Sequence, residues 1–417
     1  MTQDPHAAGS SPERRRMLIS VGVAMVVIAV GIVALANALD QGPAPAASGG
    51  SGASGVPASA IQAPGGWVRL PDPPLSARRA ATAVWVASNV VIVGGVDAAG
   101  CPANADCAIV AGAALNDGAR YDATRGWTSI APAPVPIGYA ETAIVGGIAY
   151  FWVLPAEDGL PTFMAYDLAT DSWTRLPLPP AIGMVSPRLV ATADAVIAYP
   201  ASNELGDRVD QAYDVAAGTW RVLPVDPLMP SFDRSMVVSG GKLISLGPEN
   251  VRDPGVKPPV YRAAILDLAT GEWRRLHDAP IVANDSTWFV AGSLLVNPSL
   301  GGADGGQTNN WGRMIPFGGM FDLEGDAWIG LPNPPPEGQS FAGAPVAGGD
   351  VIVNRQGWSL DVGTLSWQRV GGPPGGPDSE AATAWAGDHL FLFGGSRTDG
   401  NIATLLDAAW EWRPGGS

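Results

Sequence analysis

The sequence predicts an all-β fold, a seven-bladed β-propeller, preceded by one apolar membrane-spanning segment. Three observations carry that expectation. A motif of an aromatic or apolar residue, Asp, a short turn and Trp recurs six times after residue 66. Two more short apolar runs stand before each copy, so four short strands make one unit. Near the N-terminus, Met17 to Leu39 form a run of 23 residues without a charge.

The N-terminal run reads MLISVGVAMVVIAVGIVALANAL. It exceeds the roughly 20 residues a helix needs to cross a bilayer. Arg14, Arg15 and Arg16 stand directly before it, and the next basic residue is Arg69. The positive-inside rule then leaves residues 1–16 as a cytoplasmic tail, 17–39 as a transmembrane helix or signal anchor, and the rest outside the cell membrane. A cleaved signal peptide is the alternative, because Ala34-Leu35-Ala36 and Ala36-Asn37-Ala38 offer cleavage sites and the protein would then be secreted. Residues 40–65 are an Ala/Pro/Gly/Ser linker with too little apolar surface to fold, a tether between membrane and domain.

The chain as a whole is not disordered, since hydrophobic residues make up 47% of it and charged ones 15%. Gly and Pro are frequent, 54 and 39 in the whole chain, and many are spread between the short apolar runs, as turns between many short strands require. The formal net charge is −15, and a surface that acidic repels phosphate backbones, which argues against nucleic-acid binding. The cysteines are two, Cys101 and Cys107 in CPANADC. Outside the cytoplasm such a close pair is expected as a disulfide pinning one loop; a metal site would want more ligands.

The six copies are Tyr121-Asp122…Trp127, Tyr166-Asp167…Trp173, Tyr213-Asp214…Trp220, Leu266-Asp267…Trp273, Phe321-Asp322…Trp328 and Leu360-Asp361…Trp367. Each reads as a tight hairpin. Clear earlier strands are ATAVWV then NVVIVGG, and AATAWAGD then HLFLFGG. Four strands, a diglycine after the second (Gly94-Gly95, Gly394-Gly395) and a later aromatic–Trp pair resemble the kelch repeat of the galactose-oxidase-like propeller superfamily. Middle units depart from it: Ala198-Tyr199-Pro200 and Leu295-Val296-Asn297 stand where the diglycine would be. The resemblance implies that the N-terminal strand completes the last blade. Gly66-Trp67-Val68-Arg69 looks like an outer strand with no unit before it, and the last unit ends at Trp412 without one. Counting Trp67 gives seven outer strands and so seven blades, with six as the alternative if the weak unit near 284–331 is not a blade. The recurring tryptophans are expected to pack between blades.

Variable loops on one face of such a ring are where binding evolves. At the starts of the innermost strands, around the channel mouth, stand Arg79, Tyr139, Glu141, Arg188, Arg234, Asp285 and Glu380. Their mixed charges suit a polar or zwitterionic ligand, or else they pair between blades. Trp311 and Arg313, beside two Asn in the long loop 297–316, are a candidate carbohydrate or protein contact. The copper–radical site of galactose-oxidase-like enzymes is excluded: it needs two His, two Tyr and a Cys, whereas His6 precedes the membrane segment and the cysteines share one loop. No metal or other cofactor is expected. The expected function is a membrane-tethered binding module for a protein, peptide or glycan of the cell envelope. A metal-free sugar isomerase or mutarotase, of the kelch-fold kind that works with Glu and Arg at the channel mouth, is the alternative. Oligomeric state has no signature in the sequence.

Overall fold

A computed structural model describes residues 66–98, 114–154, 160–180, 187–202, 209–231, 233–251, 256–257, 259–281, 287–298, 318–332, 335, 341–400 and 402–415. All lie in the compact unit Gly55–Ser417. The apolar segment 17–39, the linker and both cysteines fall outside the described residues. Among the described residues no helix is long and apolar enough to cross a membrane, and none is helical at all.

Seven four-stranded antiparallel sheets form the blades of a propeller. Blade 1 is Thr82–Val86, Asn89–Val93, Gly118–Asp122 and Gly126–Ile130, and blades 2, 3 and 4 repeat that meander from Ala140–Val145, Pro187–Ala191 and Ser235–Ser239. The weak unit does fold as a blade, the fifth, with Phe289–Ala291, Leu294–Asn297, Gly319–Asp322 and Ala327–Ile329, so the six-bladed alternative falls. Blade 6 starts at Val346–Gly348. Blade 7 takes Ala382–Ala386, His389–Phe393 and Ala409–Trp412 from the C-terminal end and its outer strand, Trp67–Arg69, from the beginning of the domain. Trp67 lies opposite Trp412 and Arg69 opposite Trp410. A ribbon of Ser396–Asp399 with Ile402–Leu405, unforeseen in the sequence, occupies the loop before the third strand of this blade.

The repeated residues have repeated jobs. The motif Asp accepts backbone N–H bonds inside its own hairpin turn, from Thr124 to Asp122 at 2.8 Å, Ala169 to Asp167 at 2.8 Å and Ala269 to Asp267 at 3.0 Å. The motif Trp sits cross-strand from the aromatic or Leu, as in Tyr166 with Trp173 at 4.9 Å between ring centroids. Each Trp also donates its indole N–H to a carbonyl just past the outer strand of the preceding blade. Trp127 reaches Pro71 at 2.7 Å, Trp173 Ala131 at 2.8 Å, Trp220 Pro177 at 2.7 Å and Trp273 Pro224 at 3.0 Å. Trp328 reaches His277 at 2.8 Å, Trp367 Pro332 at 2.8 Å and Trp67 Val370 at 3.2 Å, which completes the circuit.

The core is divided in the same way. Seven apolar clusters each fill one blade–blade seam. Between blades 1 and 2, for example, Val91 and Val93 meet Phe151, Met164 and Tyr166. A lone sheet would leave such a face wet; radial stacking buries both faces of every blade. The diglycine is needed where the chain passes closest: Gly94 and Gly95 have φ of +67° and +100°, and a Cβ on Gly94 would lie 2.2 Å from the Ile137 carbonyl oxygen.

Candidate functional site

The meander fixes which face is which. Every first strand runs from the channel mouth to a short turn on the opposite face, so the mouth face carries the second-to-third-strand loops and the blade-to-blade connections. First strands of neighbouring blades touch around the channel, as blade 2 does with 3 and 1 with 7. Residues just before or within their first turns therefore converge without being near in sequence.

Two groups of the candidates come together there. Arg79, before the first strand of blade 1, pairs with Glu380, before that of blade 7, and its Nε–H donates to the Ala98 carbonyl at 3.2 Å. Glu380 holds φ of +55°, and its carbonyl accepts the Ala80 N–H at 2.8 Å. This pair stitches the first and last blades at the mouth.

The second group spans blades 2, 3 and 4. The Tyr139 hydroxyl donates to Glu141 Oε1 at 2.5 Å. Tyr139 is 56% exposed, the one aromatic among the large exposed apolar side chains of the described residues. Desolvation and the Glu141 carboxylate push its phenol above the ordinary value, with Arg188 pulling the other way. Arg188 lies cross-strand from Tyr199 on blade 3. Burial works against its charge, but Tyr199, Glu141, Asp233 and Tyr139 outweigh it and keep the guanidinium charged. Its nearest ionic partner is Asp233 of blade 4, at 4.0 Å, with the Arg188 side chain 37% exposed. That separation is too long for a hydrogen bond. Tyr199 is buried and its hydroxyl accepts the Met236 N–H at 3.0 Å, so the wall behind Arg188 is fixed.

Arg234 takes the second of the two roles expected of this group, pairing between blades. It is fully buried, forks onto Asp210 at 3.1 and 2.9 Å, and reaches Asp226 at 2.8 Å. Asp226 also accepts from the Ser245 hydroxyl at 2.5 Å. Burial raises Asp210 while Arg234 opposes the shift. A guanidinium so enclosed joins blade 3 to blade 4 rather than meeting a ligand. Arg78 is a second such residue, which sequence reasoning passed over: fully buried, it bonds Asp117 at 2.6 and 2.9 Å and the Gly94 carbonyl at 3.0 Å. Asp285, Trp311, Arg313 and the Cys101–Cys107 pair lie outside the described residues. Sequence reasoning also missed Asp233 and Tyr199, which have no motif; only their places beside an innermost strand could have marked them.

The two histidines among the described residues, His277 and His389, stand away from the mouth. His277 follows the outer strand of blade 4, its Nδ1 3.3 Å from Asp326. His389 follows the turn on the opposite face, its Nδ1 2.9 Å from Asp388. Among the described residues no group of three or more His, Cys, Asp or Glu is arranged to hold a metal ion.

No family model matches the sequence, and no curated protein does. The solved structure of YjhT is similar, with 15% identity over 82% of this chain and 96% of that one, at a TM-score of 0.44. A likeness that distant carries no argument about function, and the mouth is read from its own residues.

Proposed function

We propose that this chain is a kelch-type binding module, tethered outside the cell membrane, that holds a polar ligand at the mouth of its propeller. One observation supports the reading above the rest. An exposed aromatic ring, Tyr139, and a half-exposed arginine, Arg188, are brought side by side by two different blades and are held there from behind. Rigid blades supply preorganisation, and a binding site gains affinity from it. Residues 17–39 and the linker that follows supply the tether in this reading.

A sugar isomerase at the same mouth would need a group that exchanges protons near neutral pH. Glu141, the carboxylate such an enzyme would use, is engaged by the Tyr139 hydroxyl, Tyr139 is pushed away from that range, and Arg188 stays charged. The binding reading is therefore preferred. The full-length protein in detergent, tested against envelope glycans and peptides, is expected to retain a ligand chemically unchanged. Arg188→Ala should abolish retention while the far-ultraviolet spectrum and melting temperature stay as in the parent. Turnover of a sugar anomer by the parent and not by Glu141→Gln would overturn the proposal.

A further inference from the structure

Among the described residues, the other arginines at the starts of the innermost strands are well supplied with acceptors. Arg78 makes bonds to Ser76, Gly94 and Asp117, and Arg234 to Pro200, Asp210 and Asp226. Arg188 is the exception at the mouth. Among the described residues its guanidinium makes no hydrogen bond, and its ionic partner stands at 4.0 Å. Five N–H donors in a planar fork, partly withdrawn from water, are a strong demand for a carboxylate-like acceptor.

The surroundings restrict which acceptor. Arg188 feels carboxylates from both sides, Glu141 on blade 2 and Asp233 on blade 4. A doubly charged phosphate would meet two like charges for one opposite charge, on a chain whose formal net charge is −15. A singly charged carboxylate is better matched, provided the same ligand brings a positive charge to the flanking carboxylates. Glu141 spends one oxygen, Oε1, on Tyr139. That bond also fixes the exposed Tyr139 ring, which presents a neutral π face to a cation beside the carboxylate.

We infer that the mouth recognises a zwitterion of the α-amino-acid type, its carboxylate on the Arg188 fork and its ammonium between Glu141, Asp233 and the face of Tyr139. The inference rests on the mouth being a binding site and adds the class of ligand. Each arm is a charge-assisted set of hydrogen bonds, so loss of either arm should weaken binding about tenfold or more.

The test uses full-length protein labelled with 3-fluorotyrosine, with the Tyr139 resonance identified by its absence in Tyr139→Phe. The probes are L-alanine and D-alanine, L-lactate, which lacks the ammonium, L-alanine methyl ester, which lacks the carboxylate, and N-acetylglucosamine. Expected is saturation by at least one alanine enantiomer at a concentration about tenfold or more below that of lactate and of the ester. Arg188→Gln should erase the preference over the ester, and Glu141→Gln the preference over lactate; the unchanged remaining tyrosine resonances show that each variant is folded. Equal binding of alanine and either mutilated probe overturns the inference. So does a response to the sugar with both alanines silent, which would leave the mouth a binding site of another class. Silence from every probe removes the binding site and this assignment together.

Discussion

A tryptophan in this ring has two physical roles that substitution can separate. Trp173 packs its ring into the seam between blades 1 and 2 and donates to the Ala131 carbonyl at 2.8 Å. Trp173→Phe keeps most of the ring and removes the donor, and chemical denaturation should register a loss of about 1–2 kcal/mol. Trp173→Ala removes both and should cost about 3–5 kcal/mol. Equal losses would mean that the indole N–H contributes nothing. Arg234→Met should cost about 3–5 kcal/mol, because it strands Asp210 and Asp226 without their counter-charge. Asp117 offers a pH signature. Its bonds to Arg78 hold its carboxyl below the ordinary value, against desolvation. A depressed folded value means that the pairing stabilises above the ordinary aspartate range, near pH 4, and fades as pH falls through the lower folded value. Asp117→Asn should therefore be less stable than the parent at neutral pH, and acid titration of the two unfolding curves should find the gap closing below about pH 4.

The outer strands are the edges of their sheets, and their sequences show how the edges are managed. Arg69, Arg175, Arg275 and Arg369 each stand two residues after the blade Trp, exposed at the rim. Like charges along free edges discourage pairing between molecules. Trp67–Arg69 differs from its equivalents because its pairing holds the two ends of the domain together. Trp67→Ala should broaden and lower the thermal transition markedly, whereas Val68→Ala on the same strand, 53% exposed, should change it by less than about 0.5 kcal/mol. Much of this level was legible in the sequence. Blade seams impose the same packing seven times, so Trp and the turn Asp recur and can be counted, and the leftover Trp67 found its place by arithmetic. The site was legible in position but not in role. Arg188 and Arg234 stand alike at the starts of innermost strands, yet one faces the mouth and the other is enclosed by Asp210 and Asp226. The acids that decide this, Asp210 before the third strand of blade 3 and Asp226 after its outer strand, carry no motif of their own. The ribbon at Ser396–Asp399 was hidden for the same reason, as its polar residues carry no alternation.

At the scale of the whole molecule, blades stacked through seven similar seams leave one face of uniform short turns and one of variable loops. The proposed tether enters at Trp67, on the rim rather than at the mouth, so anchoring and ligand capture use different parts of the ring. If residues 17–39 anchor the chain with its bulk outside, a protease added to the external side of sealed membranes should release a fragment of the propeller, and detergent should not be needed for the cut in the linker. Protection without detergent would place the domain on the other side.

The strand that begins the domain finds its hydrogen-bonding partner in Ala409–Trp412, at the far end of the same domain. On the ribosome, and through any export channel, Trp67 must wait exposed while nearly the whole domain is made and threaded behind it. Six sheets can assemble in turn, but the seventh cannot exist until Ala409–Trp412 has been made. A nonsense codon in place of Ala409 should thus release a nascent product fit for chaperones and proteolysis, not a slightly shorter propeller.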